Sequence, residues 1–165
     1  MMRHVISILV VNHAGVLVRV AGLFSRRGFN IESIAVGHSE EPELSRITIV
    51  VEAEADQVLE QIVKQLYKLI DVVKVNDLPP REIVERELAL IKVNASSQTR
   101  AEIMQIVDIF RAKIVDVASR SVTVEITGSA EKVAALIGLL KPFGVREIVR
   151  TGQIAMQRAS KKTDK

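Results

Sequence analysis

The chain has 165 residues, 48% of them hydrophobic, so it is long enough for one domain of ordinary size or two small ones. It contains no cysteine, which excludes disulfides and thiolate-bound metals. The formal net charge is only +3, and basic residues cluster only in the stretch 158–165. We expect that stretch to be a flexible, solvated tail, and we expect no nucleic-acid binding, because no basic face is evident elsewhere.

The hydrophobic pattern predicts neither a membrane span nor a secretion signal. No uninterrupted apolar window reaches the length of about 18 residues that a spanning helix needs. The chain passes from Arg3 and His4 straight into a strand pattern, without a small-residue cleavage site. We therefore expect a cytoplasmic protein.

The first half of the chain, residues 3–78, follows the order strand, helix, strand, strand, helix, strand. Runs of Val and Ile mark the strands, and apolar residues three and four positions apart mark the helices. Gly28 stands where the first helix has to stop. The predicted strands are 4–11, 30–37, 44–52 and 72–78. The helices carry their apolar residues at Val20, Leu23 and Phe24 and at Leu59, Ile62, Val63, Leu66 and Ile70.

Pro79 and Pro80 interrupt this pattern, because proline breaks both helix and strand ladders. We predict a linker over 79–85, between a first domain at 1–78 and a second at 86–165. The same order of elements then repeats. Thr99 followed by Glu102 has the spacing of a capping box, and Ser129 can cap the last helix. The predicted strands of this half are 88–95, 113–118, 121–128 and 145–152.

Two consecutive strand–helix–strand–strand–helix–strand units predict an α+β fold of two tandem ferredoxin-like sandwiches. Each unit would have a four-stranded antiparallel sheet with both helices on one face. The stretches 3–11, 44–52 and 72–78 are too continuously apolar for the other face to meet water. We expect a second sheet, or a second copy of the chain, to cover that face.

The stretch "NHAGVLVRV", residues 12–20, joins the first strand to the first helix. Gly15 has no Cβ and lets a ligand or another backbone approach. The free N–H groups of a first helical turn suit a carboxylate. Asn12 can cap the loop or contact a ligand. Asn and Gly are also common turn residues, so a purely structural turn is the alternative interpretation.

Asn30 is the second unusual residue, because Asn is disfavoured at the start of a strand. Asn tolerates left-handed backbone, so a turn is one interpretation. The other is that its side-chain carbonyl accepts a hydrogen bond from a ligand ammonium group. A helix N-terminus for a carboxylate, Asn30 for an amine, and the apolar neighbours Ile31 and Ile34 would together suit a free aliphatic amino acid.

No catalytic or metal-binding arrangement is recognisable in the sequence. The three histidines, His4, His13 and His38, do not have the spacing of a helical ligand pair. The acidic turn "SEEPE", residues 39–43, lacks the spacing of a calcium loop. A glycine-rich phosphate loop and a nucleophile elbow are both missing. We expect no metal, no cofactor and no catalysis in this chain.

The stretch "NHAGVLVRVAGLFSRRGFNIESIAVG", residues 12–37, closely resembles the opening of the small regulatory subunit of acetohydroxyacid synthase, also called acetolactate synthase. Three further stretches resemble that family in the same order: "LSRITIVV" (44–51), "LEQIVKQLYKLIDVVKV" (59–75) and "VERELALIKV" (84–93). The resemblance covers nearly the whole chain and is most specific in the first half.

The resemblance implies a function that composition alone does not. The first half would be an ACT domain, a ferredoxin-like module that often binds amino acids between paired copies, and the second half the family's C-terminal ferredoxin-like domain. The partner would be a separate catalytic large subunit, with thiamine diphosphate, Mg²⁺ and FAD, that condenses pyruvate with pyruvate or 2-oxobutyrate. This chain would activate that subunit and confer feedback inhibition by valine in valine and isoleucine biosynthesis.

The family motif also implies which residues hold valine: Asn12, Gly15, Val16, Leu17, Asn30 and Ile31. Val16 and Leu17 would contribute backbone N–H groups, Ile31 an apolar wall, and Asn30 would come from the paired subunit. Ala14 departs from the proline that many ACT loops carry, which affects the rigidity of the loop. The sequence does not separate valine from leucine or isoleucine, since one methylene is worth only about 1–3 kcal/mol in a pocket.

The resemblance further implies a homodimer formed through the ACT domain. Residues 1–78 would bind and partly activate the catalytic subunit, and residues 86–165 would be needed for the full valine response. The alternative is an ACT-domain amino-acid sensor that regulates transcription or another enzyme. A transcriptional role would need a helix-turn-helix or a basic reading surface, and neither is evident.

Overall fold

The computed structural model describes residues 2–53 and 56–159, without the side chains of residues 56 and 57. The described residues divide into two units, the first made of those up to Val84 and from Gln153 onward, and the second of Glu85–Gly152. The elements of the first unit up to its fourth strand are β1 (Met2–Val11), α1 (Val16–Arg26), β2 (Ile31–His38), β3 (Leu44–Ala53), α2 (Asp56–Leu66) and β4 (Val72–Leu78).

The first sheet is antiparallel, with the strand order β2-β3-β1-β4. Alternation along β1 turns Ile6, Ile8 and Val10 toward the helices, where they form a core with Val20 and Phe24 of α1. This is the predicted ferredoxin-like topology. The one helical position predicted wrongly is Ile70, which is 95% exposed because α2 ends at Leu66.

Gly28 ends α1 as predicted, because its φ of 75° lies in the left-handed region. The N–H of Gly28 donates to the carbonyl of Ser25 at 3.1 Å, and the N–H of Phe29 donates to the carbonyl of Phe24 at 3.0 Å. These bonds form a Schellman motif. The rings of Phe24 and Phe29 also meet edge to face, with centroids 6.5 Å apart. This stop directs the chain into Asn30 and β2.

The second unit repeats the topology. Its elements are β5 (Ile83–Asn94, which begins in the first unit), α3 (Arg100–Ile109), β6 (Lys113–Val117), β7 (Ser121–Gly128), α4 (Ala130–Leu140) and β8 (Val145–Arg150). The strand order is β6-β7-β5-β8, and a separate core includes Ile91, Ile103, Val124 and Leu136. The predicted pair of ferredoxin-like units is therefore confirmed. Within the described ranges, no helix combines the length and hydropathy that a bilayer crossing requires.

The two predicted caps of the second unit have different outcomes. Ser129 accepts a hydrogen bond from the N–H of Lys132 at 3.3 Å, as predicted. The capping box of Thr99 and Glu102 is wrong, since the Thr99 side chain does not cap α3. The reciprocal pair lies one turn earlier: the N–H of Ser96 donates to Thr99 Oγ1 at 3.0 Å, and the N–H of Thr99 donates to Ser96 Oγ at 3.2 Å. Helical hydrogen bonding already begins there, because the N–H of Arg100 reaches the Ser96 carbonyl.

The domain boundaries differ from the prediction at both ends of the second half. Pro80–Glu82 form a single 3₁₀ turn, and β5 begins at Ile83, so the predicted linker over 79–85 is partly strand. A strand that was not predicted, β9 (Ile154–Gln157), lies in the first unit and pairs with β5. The predicted second domain over 86–165 therefore loses its end to the first unit. Residues 160–165 of the predicted basic tail lie outside the described residues.

This C-terminal segment covers part of the sheet face that lies opposite the helices. Ile83 and Ala155 bury Val5, Val50 and Leu78 on that face. The segment is held by hydrogen bonds from the N–H of Gln153 to Ser33 Oγ at 2.8 Å and from the N–H of Arg158 to the carbonyl of Glu82 at 2.7 Å. Here the same chain provides a cover that we expected from a second sheet or a second copy.

Candidate functional site

The joint between β1 and α1, residues Asn12–Gly15, is exposed and ends in a left-handed backbone position. Gly15 has a φ of 85°, which favours glycine because it has no Cβ. Its carbonyl accepts a hydrogen bond from the N–H of Arg19 at 3.1 Å, so the helical ladder starts here. No side chain of the described residues caps the helix at Gly15. The helix therefore begins with an open N-terminus.

The first two residues of α1, Val16 and Leu17, are the predicted backbone donors. Their N–H groups precede the first helical hydrogen bond, and the first turn carries no acidic side chain. Val16 buries its side chain in the first core, whereas Leu17 is 45% exposed. The packing of Val16 fixes the start of the helix, and the open N–H groups with the helix dipole make a place for a carboxylate.

Asn12 lies beside this helix start and contacts the far end of β2. Its N–H donates to the carbonyl of Glu43 at 2.8 Å, and its Nδ2 lies 3.4 Å from Nδ1 of His38. The acidic turn that follows β2 therefore borders the joint. In that turn, a hydrogen bond from its own backbone and then the nearby Arg46 guanidinium lower the pKa of Glu40 below its usual value.

Asn30 and Ile31 lie at the opposite end of β2 from Asn12. Asn30 is exposed directly before the strand, and Ile31 is half-buried against the first core. The strand separates Asn30 from His38 by about 26 Å, at roughly 3.3 Å per residue. The structure thus brings together Asn12, Gly15, Val16 and Leu17, and it keeps Asn30 and Ile31 apart from them within one chain.

Three residues that sequence reasoning did not place in the site support the joint. Asp71 is only 6% exposed, and its carboxylate lies 2.7 Å from Nε2 of His13. Nε of Arg19 donates to the same carboxylate at 2.7 Å. The only sequence signal is a lone acid inside the apolar run "LIDVV", and its partners are too distant along the chain for any periodicity to reveal them.

A cleft of about 310 Å³ opens at the Asn30 end of the first unit, between the end of α1 and α2. It is lined by Arg27, Phe29, Val58, Gln61, Ile62 and Gln65, so none of the six predicted effector residues lines it. Within the described part of the chain, no three His, Asp or Glu side chains come together as metal ligands.

Comparisons with known proteins identify the family to which this chain belongs. Residues 6–74 match the model described as the AHAS small subunit-like ACT domain, and residues 86–159 match that of the small subunit of acetolactate synthase. The probable acetolactate synthase small subunit of Methanothermobacter thermautotrophicus is 55% identical over 159 residues, which cover 96% of this chain and 94% of that protein.

Further similarity extends over the same length. The acetolactate synthase small subunit of Bacillus subtilis is 52% identical over 159 residues, which cover 96% of this chain and 92% of that protein. The crystal structure of the acetolactate synthase small subunit from Thermotoga maritima has a TM-score of 0.89 at 51% identity, and covers 97% of this chain and 99% of that chain. The resemblance inferred from residues 12–93 is confirmed: this chain belongs to the family of acetolactate synthase small subunits.

Proposed function

We propose that this chain is the non-catalytic regulatory subunit of acetolactate synthase, which activates the catalytic large subunit and makes it sensitive to feedback inhibition by valine. The observation that supports the proposal is an identity of 55% over 159 residues to a protein with the small subunit's name. In this proposal thiamine diphosphate, Mg²⁺ and FAD are bound by the large subunit. The role of this chain is to bind valine and to transmit its presence.

Valine binds at the joint between β1 and α1 in this proposal. Its carboxylate accepts hydrogen bonds from the N–H groups of Val16 and Leu17 at the open N-terminus of α1. Gly15 adopts the left-handed backbone with which the chain enters α1, and glycine does so without steric cost. Asn12 is the exposed polar side chain on the β1 side of the joint. A site built this way recognises the backbone of an amino acid, and the surrounding apolar surface selects the side chain.

The ammonium group of valine needs Asn30, which one chain holds at the other end of β2. β2 is an edge strand of its sheet, so a second copy can pair with it. Ile34 lies midway between Asn30 and His38 in the sequence. An antiparallel pairing centred on Ile34 would set Asn30 of the partner subunit opposite His38, next to Asn12. The proposed dimer then forms two identical sites, each with residues from both chains.

Exposed apolar side chains on β2 support this pairing. Ile34 and Val36 are 36% and 51% exposed, although they align with the buried Ile49 and Ile47 on the helix-facing side of the sheet. Apolar side chains at an unpaired edge favour association with another strand. The opposite face of the same sheet is partly covered by the C-terminal segment of the chain. The β2 edge is therefore the surface that we propose for the homodimer.

We also propose a division of roles between the two units. The first unit binds the effector, forms the dimer and activates the large subunit, while the second unit is needed for the full valine response. The first unit includes Gln153–Gln157 together with Ile83, which cover Val5 and Val50. Any test of the first unit alone has to retain those segments, so a chain cut after Leu78 does not represent it.

Reconstitution with the catalytic large subunit of the same organism tests the proposed function. Acetolactate formation is measured with the large subunit alone and with increasing amounts of this chain, each with and without valine. We expect this chain to raise the rate, and valine to inhibit only when it is present. Parallel titrations with leucine and isoleucine measure effector preference. An unchanged rate and no co-elution on size exclusion would contradict the proposal and would favour an amino-acid sensor of another system.

A further inference from the structure

Asp71 lies outside the joint but contacts β1, the loop and α1, the three segments that meet there. It lies in the segment between α2 and β4, where its backbone carbonyl accepts a hydrogen bond from the N–H of Val11 at 2.9 Å. Its buried carboxylate holds His13 of the loop and Arg19 of the helix, each at 2.7 Å. A buried carboxylate is costly unless it is paired, so this geometry is strongly preferred over alternatives that release either partner.

Arg19 extends this clamp to the helix start. Its N–H donates to the Gly15 carbonyl, and a Cβ built on Gly15 would lie 3.0 Å from its Nη1. The guanidinium group therefore lies against the one residue of the joint that has a left-handed backbone. With Nε on Asp71, Arg19 restrains both the Gly15 peptide and the first turn of α1. The other side-chain contacts recorded for the loop, from Asn12 to His38 at 3.4 Å and from His13 Nδ1 to the carbonyl of Ala14 at 3.2 Å, are longer and exposed.

We infer that Asp71, Arg19 and His13 are positioning residues of the effector site, an inference that rests on the proposed function. They hold the loop and the open N–H groups of α1 in the binding geometry before valine arrives, without contacting valine themselves. A loop that is already ordered loses less conformational freedom when a ligand binds, so its affinity is higher. The clamp thus sets the valine concentration at which inhibition occurs, and it leaves the activating surface unchanged.

The test uses the full-length chain with two single variants, Asp71→Asn and Arg19→Gln, and their combination. Asp71→Asn keeps the size of the side chain and removes its charge. Arg19→Gln changes the other member of the ion pair, which is more exposed than Asp71. The matched control is Arg26→Gln, the same chemical change at the other, exposed end of α1. Valine binding is measured by isothermal titration calorimetry, and hydrogen exchange of the amides of residues 12–18 is followed without valine. Activation of the large subunit at zero valine completes the set.

We expect each single variant to weaken valine binding by about tenfold, and the double variant to be little weaker, since one clamp is lost in all three. Exchange of the joint amides should rise in these variants, with activation retained and Arg26→Gln unchanged. Unchanged valine affinity in both single variants overturns the inference, as does a joint loss of thermal stability, binding and activation. A wild-type chain that binds no valine would instead overturn the proposed site, and the inference with it.

Discussion

Helix α1 of the first unit and helix α3 of the second occupy the same position in the same topology, but they begin differently. At α3 the side chains of Ser96 and Thr99 bond reciprocally to each other's N–H groups. At α1 the residue before the helix is Gly15, which has no side chain to offer. The second unit thus ties the turn before its helix with its own side chains and carries the acidic Glu102 in the first turn of α3, while the start of α1 has neither feature.

The arginine near each helix start differs in the same way. Arg100 of α3 donates to the carbonyls of Ala118 and Ser119, at 2.8 and 3.2 Å, and so ties the helix to a turn of its own unit. Arg19 of α1 instead bonds a buried carboxylate, Asp71, and lies beside Gly15. One fold therefore appears twice, but the described residues around the two helix starts differ, and the site that we propose lies at the start of α1. The residues of the joint decide this difference, because the topology is shared.

The largest effect is expected from Gly15→Asp, which places a negative charge at the open helix start. The carboxylate would repel that of valine, and a non-glycine residue at a φ of 85° adds strain. We expect valine inhibition to weaken by more than about 150-fold, beyond the loss of one charged hydrogen bond. Valine titration of the reconstituted enzyme measures the change.

The control for Gly15→Asp is Gly15→Ala, which carries the strain without the charge. It should cost roughly 1–2 kcal/mol in the free energy of unfolding and affect inhibition less. Both variants should still activate the large subunit, since the activating surface need not include the joint. Full valine sensitivity in Gly15→Asp would refute the site, and loss of both activation and inhibition would mean that Gly15 has only a structural role.

The next largest effect is expected from Ile34→Lys. This change lies in β2, outside both the β1–α1 joint and the β5–α3 joint. A charge at the centre of the proposed β2 pairing opposes edge-to-edge association. We expect the chain to become monomeric at micromolar concentration in analytical ultracentrifugation, and valine binding to fall because Asn30 of the partner subunit is removed. The exposed Val18 on α1 is the site of a matched control, Val18→Lys. A monomeric wild-type chain that binds valine would contradict the composite site.

Asn30→Ala should have a smaller effect, limited to one hydrogen bond to the ammonium group. Such a bond to a charged group is worth about 1.5–3 kcal/mol, so valine binding should weaken by roughly 10- to 150-fold. The neighbouring exposed Glu32, replaced by alanine, serves as the control. Equal valine affinities in wild type and Asn30→Ala would leave Asn30 with the turn role that its position also allows.

The smallest effect is expected in the turn before α3 of the second unit. Ser96→Ala removes one half of the reciprocal pair of hydrogen bonds and should lower the stability of the chain by about 1 kcal/mol in urea denaturation. The valine titration should not change, because none of the proposed effector residues lies in the second unit. Ser97→Ala on the adjacent exposed residue is the control. A changed valine response in Ser96→Ala would show that the two joints are not independent.

Much of the fold could be predicted from the sequence because its signals are local. The spacing of Val20, Leu23 and Phe24 marks a helix, and Gly28 and Ser129 end and start helices through bonds to residues at most four positions away. The need for glycine at position 15 is likewise a property of the backbone at that residue. The family motif added the proposed effector residues, since they follow one another in one short stretch and its neighbour.

Only the tertiary structure revealed what depends on pairing between distant residues. The contact of Arg19 with Asp71, the burial of Val5 beneath Ala155, and the separation of Asn30 from Asn12 along β2 follow from the strand order, which no local pattern contains. The Thr99 side chain does not cap α3, because its hydroxyl accepts the N–H of Ser96 in the turn before the helix. The sequence by itself determined most of the elements and the glycine at the start of α1, and the packing of the sheet determined which side chains hold that start in place.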